Sequence, residues 1–368
     1  MTLQGKGFFI WKVRDCERGS PEGIAAAARA ARFTHVLIKI ADGNYTFNVD
    51  PKTRVDLVPP VVAALRASGI QVWGWHYVYG QDPLGEARIA IQRVQQLNLD
   101  GYVIDAEIEY RQAGRAAAAR RFMSELRRAL PNLPFALSSF RFPTYHPQLP
   151  WREFLEYCDY NMPQVYWEEA HNPGAQLERC VREFNNMAFM RPVMPTGPIY
   201  RTATWSPTTT DTQEFLQKAK DLNLSSVNFF TWDYKNTSLK ALWDVIASYQ
   251  WTPPPAPQKD VAELFIEALN TRDPVRVTGL FRPDAVHITA AHTAAGSAAI
   301  QNWYGNFFGQ VLPNATFRLT GFSGTSSTRH LNWTATSPSG SIKNGSDTIG
   351  CLDGKIIYHY TSFKIDNS

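Results

Sequence analysis

Cysteine is scarce in this sequence, with four residues in 368: Cys16, Cys158, Cys180 and Cys351. They form no C-x-x-C pair and no finger-like spacing. That excludes a disulfide framework and leaves room for one disulfide. Charge of one sign is scarce too. The 37 basic and 33 acidic residues leave a formal net charge of +4, too little to call for nucleic acid or a membrane as partner. No stretch approaches the roughly 18 apolar residues of a membrane span. The N-terminal MTLQGKGFFIWKV carries one lysine and a short apolar run before further charges. It lacks the hydrophobic core and small-residue cleavage site of a secretory signal. The expected location is therefore the cytoplasm by default, or the cell exterior by a non-classical route. No Gly-rich phosphate loop follows the first strand-like run, and no His/Cys spacing suits a metal, so neither a cofactor nor a metal is expected.

Apolar content of 44% with 11 tryptophans fits a well-packed protein with room for two domains. Up to about residue 250, short apolar runs alternate with helical patterns. Strands are expected at Gly7 to Val13, His35 to Ile40, Gln71 to Tyr79, Gly101 onward, Phe135 to Phe140, Tyr160 to Trp167, Pro192 to Pro195 and Ser226 to Trp232. Eight strand-helix units in this length predict an α/β fold of the (β/α)8 TIM-barrel type over 1–250, with a doubly wound open sheet as the alternative. Residues 251–258, with four prolines, read as a stiff spacer. Residues 259–368 begin with a helix from Val261 to Asn270 and a second from Ser297 to Phe308. They close with strands at Asn314 to Thr320, Arg329 to Thr336 and Ile356 to Ile365. That order predicts a smaller α+β cone.

The chemistry concentrates in Asp100 to Tyr110, DGYVIDAEIEY. Asp105, Glu107 and Glu109 share one strand parity, so their side chains leave on one side. The C-terminal end of a barrel strand is where active sites are built, and desolvated carboxylates there are costly unless used. Glu107 is the candidate proton donor and Asp105 its partner, with Asp233 preferred over Asp42 as an opposing carboxylate. Tyr79, Trp167 and Trp232, near strand ends, are the aromatic faces best placed to stack on a ligand ring. Trp73, Trp75, Tyr77 and Tyr79 share one side of the third strand, and the bland reading makes that row core beneath the helices. His76, on the other parity, reads as a hydrogen-bonded supporting residue.

The run Gly74-Trp75-His76-Tyr77, a helix with Glu86-Ala87, and then Ile104-Asp105-Ala106-Glu107 resembles the muramidase-type lysozymes, which are barrel glycoside hydrolases. Asp100-Gly101 before Asp105-x-Glu107 is similar to the chitinase D-G-x-D-x-D-x-E motif, with Val103 in place of one Asp. These resemblances imply cleavage of an amino-sugar polysaccharide such as peptidoglycan or chitin. They imply that Asp105 orients Glu107 or positions an N-acetyl group, and that Asn161, Gln164, Tyr166, Trp232 and Asp233 lie at substrate-contacting positions. Trp11 and Lys12 stand where muramidases carry a first-strand Asp. This departure motivates a second reading, a barrel without turnover that binds glycan or serves assembly.

Ala268-Leu269-Asn270-Thr271-Arg272-Asp273, Phe281-Arg282-Pro283-Asp284-Ala285-Val286 and Ile300-Gln301-Asn302-Trp303-Tyr304 resemble the NTF2-like (SnoaL-like) cones. That resemblance implies a ligand pocket, a small enzyme or a homodimerisation module.

Overall fold

The computed structural model describes residues 3–235, 237–252, 259–325, 327–352 and 354–366. The chain divides into two compact units, Met1–Ala256 and Pro257–Ser368. Of the spacer expected at 251–258, residues 253–258 lie outside the described residues.

The first unit is a closed barrel of eight parallel strands. These are β1 (Gly5–Ile10), β2 (His35–Asp42), β3 (Gln71–Val78), β4 (Gly101–Ala106), β5 (Phe135–Phe140), β6 (Tyr160–Gln164), β7 (Thr196–Pro198) and β8 (Ser226–Phe230). Neighbours in sequence pair in space, and β8 returns to β1, which also pairs with β2. Eight α-helices, from α1 (Pro21–Ala30) to α8 (Lys240–Ser248), surround it. Local chemistry starts several of them. Ser20 accepts from Gly23 N–H ahead of Pro21, and Asp82 likewise opens the helix Pro83–Leu97. Thr208 and Asp211 form a reciprocal capping box on Thr209–Asp221.

The barrel interior is filled in layers, with small residues facing large ones. At the bottom, a Cβ on Gly7 would stand 2.0 Å from the His35 ring, and His35 Nε2 lies 2.7 Å from Asn228 Oδ1. Above them Phe9, Leu37, Trp73, Trp75, Val103, Ala136 and Met162 close the lumen. The aromatic row of β3 is thus inside the barrel and not beneath the helices. Gly101 makes this possible, because a Cβ there would meet the Trp73 ring at 2.4 Å. His76, on the opposite parity, faces outward and is buried, with Nδ1 2.7 Å from Tyr102 OH and Nε2 2.8 Å from Gly43 O.

The seventh strand forms at Thr196–Pro198, later than Pro192 to Pro195. Pro192 and Pro195 have no N–H to give a ladder, and only an isolated Asn161–Val193 bridge precedes the paired segment. All four cysteines are free and buried.

The second unit is an α+β cone. Helices α9 (Val261–Thr271), α10 (Pro274–Thr278) and α11 (Ser297–Asn306) accompany a six-stranded mixed sheet. Its strands are β9 (Phe281–Ile288), β10 (Thr293–Ala295), β11 (Thr316–Thr325), β12 (Thr328–Ser337), β13 (Gly340–Leu352) and β14 (Lys355–Ser362). They run in the order β10-β9-β14-β13-β12-β11, with β9 and β14 parallel and the other pairs antiparallel. The core is aromatic, built on Phe265, Tyr304, Phe307, Phe317 and Trp333. The longest strand, β13, was not among those expected from the sequence. No helix among the described residues is long and apolar enough to cross a membrane.

Candidate active site

The layer above the packed lumen is polar. Asp105 is the last inward-facing residue of β4 and is buried. The chain then leaves the strand, and Glu107 follows at the mouth. Gln164, at the end of β6, ties them together. Its Nε2 donates to Asp105 Oδ1 at 2.9 Å and to Glu107 Oε1 at 2.9 Å, with Ser138 Oγ at 3.3 Å. Two carboxyl oxygens reach one amide nitrogen, so the two groups sit side by side on one wall. Among the described residues, no Arg or Lys forms an ion pair with Asp105, Glu107 or Glu109.

Burial pushes the Asp105 carboxyl well above the usual range, and the Glu107 charge beside it adds to that push. Burial also raises Glu107; the Gln164 amide opposes the shift and the nearby Glu109 reinforces it. Two adjacent carboxyls of this kind hold a proton to higher pH than a solvated carboxylate does. Glu109 accepts a 2.8 Å hydrogen bond from Tyr77 OH.

On the neighbouring β2, Lys39 is almost fully buried and donates to Asp42 Oδ2 at 2.6 Å. Its ammonium lies 4.4 Å from the Phe47 ring centroid and 4.8 Å from that of Trp75. Tyr79 OH donates to the other Asp42 oxygen at 2.8 Å. Asp42 and Tyr79 therefore form one network with Lys39, and Asp42 is already paired. An aromatic wall completes the mouth. Trp11, Tyr166 and Tyr200 all stand around Phe230, with ring centroids 6.3–6.4 Å from it.

Four expected contacts lie elsewhere. Trp167 has no exposed surface; it follows Tyr166 on the opposite parity and packs 5.2 Å from Phe215 in the layer between barrel and helices. Trp232 is 1% exposed and lies 4.7 Å from the Trp243 ring. Neither has an exposed face, whereas Trp11 is exposed and Tyr79 and Tyr166 are half-buried. Asn161 is buried on the parity opposite to Tyr160 and Met162, which fill the barrel. It therefore points at the helices. Asp233 is held by the loop after β1, where Lys12 N–H donates to Oδ2 at 3.1 Å and Trp11 N–H to Oδ1 at 3.2 Å, and by Thr231 just past β8, whose Oγ donates to Oδ1 at 3.0 Å. These bonds anchor the loop and connect Asp233 to neither Asp105 nor Glu107.

Sequence reasoning missed the roles of Lys39 and Ser138, which share inward parity with the strand-end carboxylates.

No protein-family model matches this chain, and no curated protein matches it. Among solved structures, it is similar to an NTF2-like protein of unknown function from Cytophaga hutchinsonii, at 15% identity and a TM-score of 0.25, covering 32% of this chain and 94% of that one. It is similar at 18% identity to a protein from Sphaerobacter thermophilus, covering 29% and 95% with a TM-score of 0.26. An LEH-like epoxide hydrolase from M. tuberculosis is similar at 14% identity, covering 28% and 78% with a TM-score of 0.24.

Proposed function

We propose that the barrel is a glycoside hydrolase acting on an amino-sugar polysaccharide, with Glu107 as proton donor and Asp105 as its partner. The observation that carries this reading is the pair formed by buried Asp105 and half-buried Glu107 at the barrel mouth, joined by one Gln164 amide and without an Arg or Lys ion pair among the described residues. A scaffold with no use for these groups would neutralise them, since unpaired buried carboxylates are expensive.

Glycosidic cleavage requires a proton for the leaving oxygen and support for positive charge at the anomeric carbon. Burial raises the proton affinity of Glu107, which keeps a proton available for that oxygen. Carboxyls on one wall do not flank the sugar ring as acid and opposing nucleophile do. Side-by-side placement suits substrate assistance: the C1–O bond breaks as Glu107 protonates the oxygen, the acetamido oxygen bonds to C1, and Asp105 holds the acetamido N–H. Water, deprotonated by Glu107, then attacks C1 as the bond from C1 to the acetamido oxygen breaks, which regenerates the acetamido group and retains the configuration.

The test is release of reducing ends from peptidoglycan and chitin oligomers by the wild type and by Glu107→Gln. The expected outcome is activity in the wild type and a loss of about a hundred- to ten-thousand-fold in the variant. Oligosaccharide binding without release by either protein would replace the enzyme with a lectin-like barrel.

A further inference from the structure

Lys39 and Asp42 lie three residues apart on β2, a spacing that sends side chains to opposite faces of a regular strand. They meet because the β2–β3 ladder is bulged between them. Lys39 pairs with Trp75, Ala41 with His76 and Asp42 with Tyr77. Both side chains therefore face inward with Trp75 and Tyr77. The next ladder runs from Tyr77 to Asp105 and from Trp75 to Val103. Asp42, Tyr77 and Asp105 thus form one row across the mouth, and Lys39 stands in the row beneath.

The ion pair is oriented. The Lys39 side chain is 6% exposed and that of Asp42 is 30% exposed, so the positive end points into the barrel and the negative end meets water. Water screens the outer charge more than the inner one. The ammonium lies 5.8 Å from the ring centroid of Tyr77, the cross-strand neighbour of Asp105. The other groups around it are few. Burial pushes the Tyr77 and Tyr79 hydroxyls up and holds His76 near 4, so β3 brings no charge at pH 7. Beyond β1, the Lys12 ammonium rests 4.6 Å from the Trp11 ring centroid, and Asp233 is taken by loop N–H groups. The β4 end supplies Asp105, Glu107 and Glu109.

Substrate assistance needs one proton shared unequally: a charged Asp105 for the acetamido N–H and a protonated Glu107 for the leaving oxygen. Depth alone gives the reverse order. Asp105 is buried and Glu107 half-buried, and the deeper carboxyl holds its proton more tightly. Burial and Glu107 push Asp105 up. Against that push the Lys39 charge comes first, followed by hydrogen bonds from Ser138 and Gln164. On Glu107 the Gln164 amide comes first among the opposing groups and the Lys39 charge last. We propose that Lys39 is a positioning residue that places the negative charge of the pair on Asp105 and leaves the proton on Glu107. This inference rests on the glycoside reading of the same site, and the charge order can be measured without turnover.

The experiment titrates the full chain by NMR, with carbon-13 at the side-chain carboxyls. Loss of a signal in Asp105→Asn or Glu107→Gln assigns each group. In the wild type, Glu107 should take up the first proton of the pair as pH falls. In Lys39→Met that proton should go to Asp105, whose acid dissociation constant should fall roughly tenfold on loss of one opposite charge at this range. Lys39→Arg should keep the native order. Because Lys39→Met leaves Asp42 unpaired, Lys39→Met/Asp42→Asn removes both charges and tests the same reversal in a protein less prone to unfold. Circular dichroism checks that each variant is folded. Asp105 protonated first in the wild type, or the native order kept in a folded variant lacking the Lys39 charge, would overturn the proposal. Reducing-end release from chitin oligomers reports separately on hydrolysis. The native order without release would end only the glycoside reading, and release with Asp105 protonated first would end only the role of Lys39.

Discussion

Gln164 spends one amide nitrogen on three acceptors, Asp105, Glu107 and Ser138. A neutral donor shared between two acids favours their ionised forms, and it lowers the proton affinity of each against the upward push of burial. The consequence for pH follows directly. A general acid works only while protonated, so activity is lost as pH rises through the Glu107 pKa. Gln164→Leu removes a group that stabilises the Glu107 carboxylate, so that pKa rises further. The basic limb of kcat/KM against pH should therefore move to higher pH in Gln164→Leu while kcat falls. A basic limb that stays in place would mean that Gln164 does not govern the acid. Asp105→Asn provides the complementary case. It removes the neighbouring charge and the residue assigned to the acetamido group, and the expected loss in kcat is about a hundredfold or more. Full activity in Asp105→Asn would end the substrate-assisted scheme.

Elements differ in how much of themselves the sequence discloses. The β4 stretch is legible because its apolar run and its same-parity acids state one message, and the Asp105–Glu107 pair follows from it, whereas Gln164, at the end of β6, enters only through the family resemblance and as a substrate contact. Trp167 and Trp232 mislead for the same reason that they are large. A tryptophan near a strand end can turn to the lumen or to the helix layer, and one step of parity after Tyr166 decides it. Asp233 misleads because a loop carboxylate serves backbone N–H groups as readily as a substrate. Strand β13 is concealed by its own composition. GSIKNGSDTIGCL holds three glycines among turn-forming residues, and its glycines serve packing. Gly345 pairs with Trp333 across the ladder, and a Cβ there would sit 2.3 Å from that buried ring. Gly345→Ala should therefore destabilise the cone by about 1–3 kcal/mol. Gly321→Ala, where nothing lies within 4 Å, should change stability by less than about 0.5 kcal/mol. Urea unfolding of the two variants measures the contrast, and equal midpoints would refute the close-packing role of Gly345.

Across the whole molecule, buried titratable groups make the two units respond differently to acid. In the cone, burial and the adjacent His359 push His287 down to about 3. Its ring nitrogen lies 3.0 Å from that of His359, in a cluster that also contains Tyr304. A histidine whose folded pKa is depressed stays neutral in the native state while its unfolded counterpart, near 6.5, takes up a proton. Stability contributed this way is complete above about pH 6.5 and falls steadily below it. Asp260, held low chiefly by its bond to Arg329, acts in the same direction at still lower pH. In the barrel, burial holds both His35 and His76 near 4, and they too lose stability below pH 6.5. There, however, Asp105, Glu107, Glu86 and Asp233 are all raised by burial. A carboxyl with a raised folded pKa stabilises the fold at low pH and loses that contribution as pH climbs, so these four act against the histidines. Acidification from pH 7 to pH 5 should therefore erode the cone first. Hydrogen exchange corrected for its intrinsic pH dependence would show protection falling around His359 in β14 before it falls around His76 in β3. Protection lost first in β3 would mean that the raised carboxyls do not compensate for the buried histidines of the barrel.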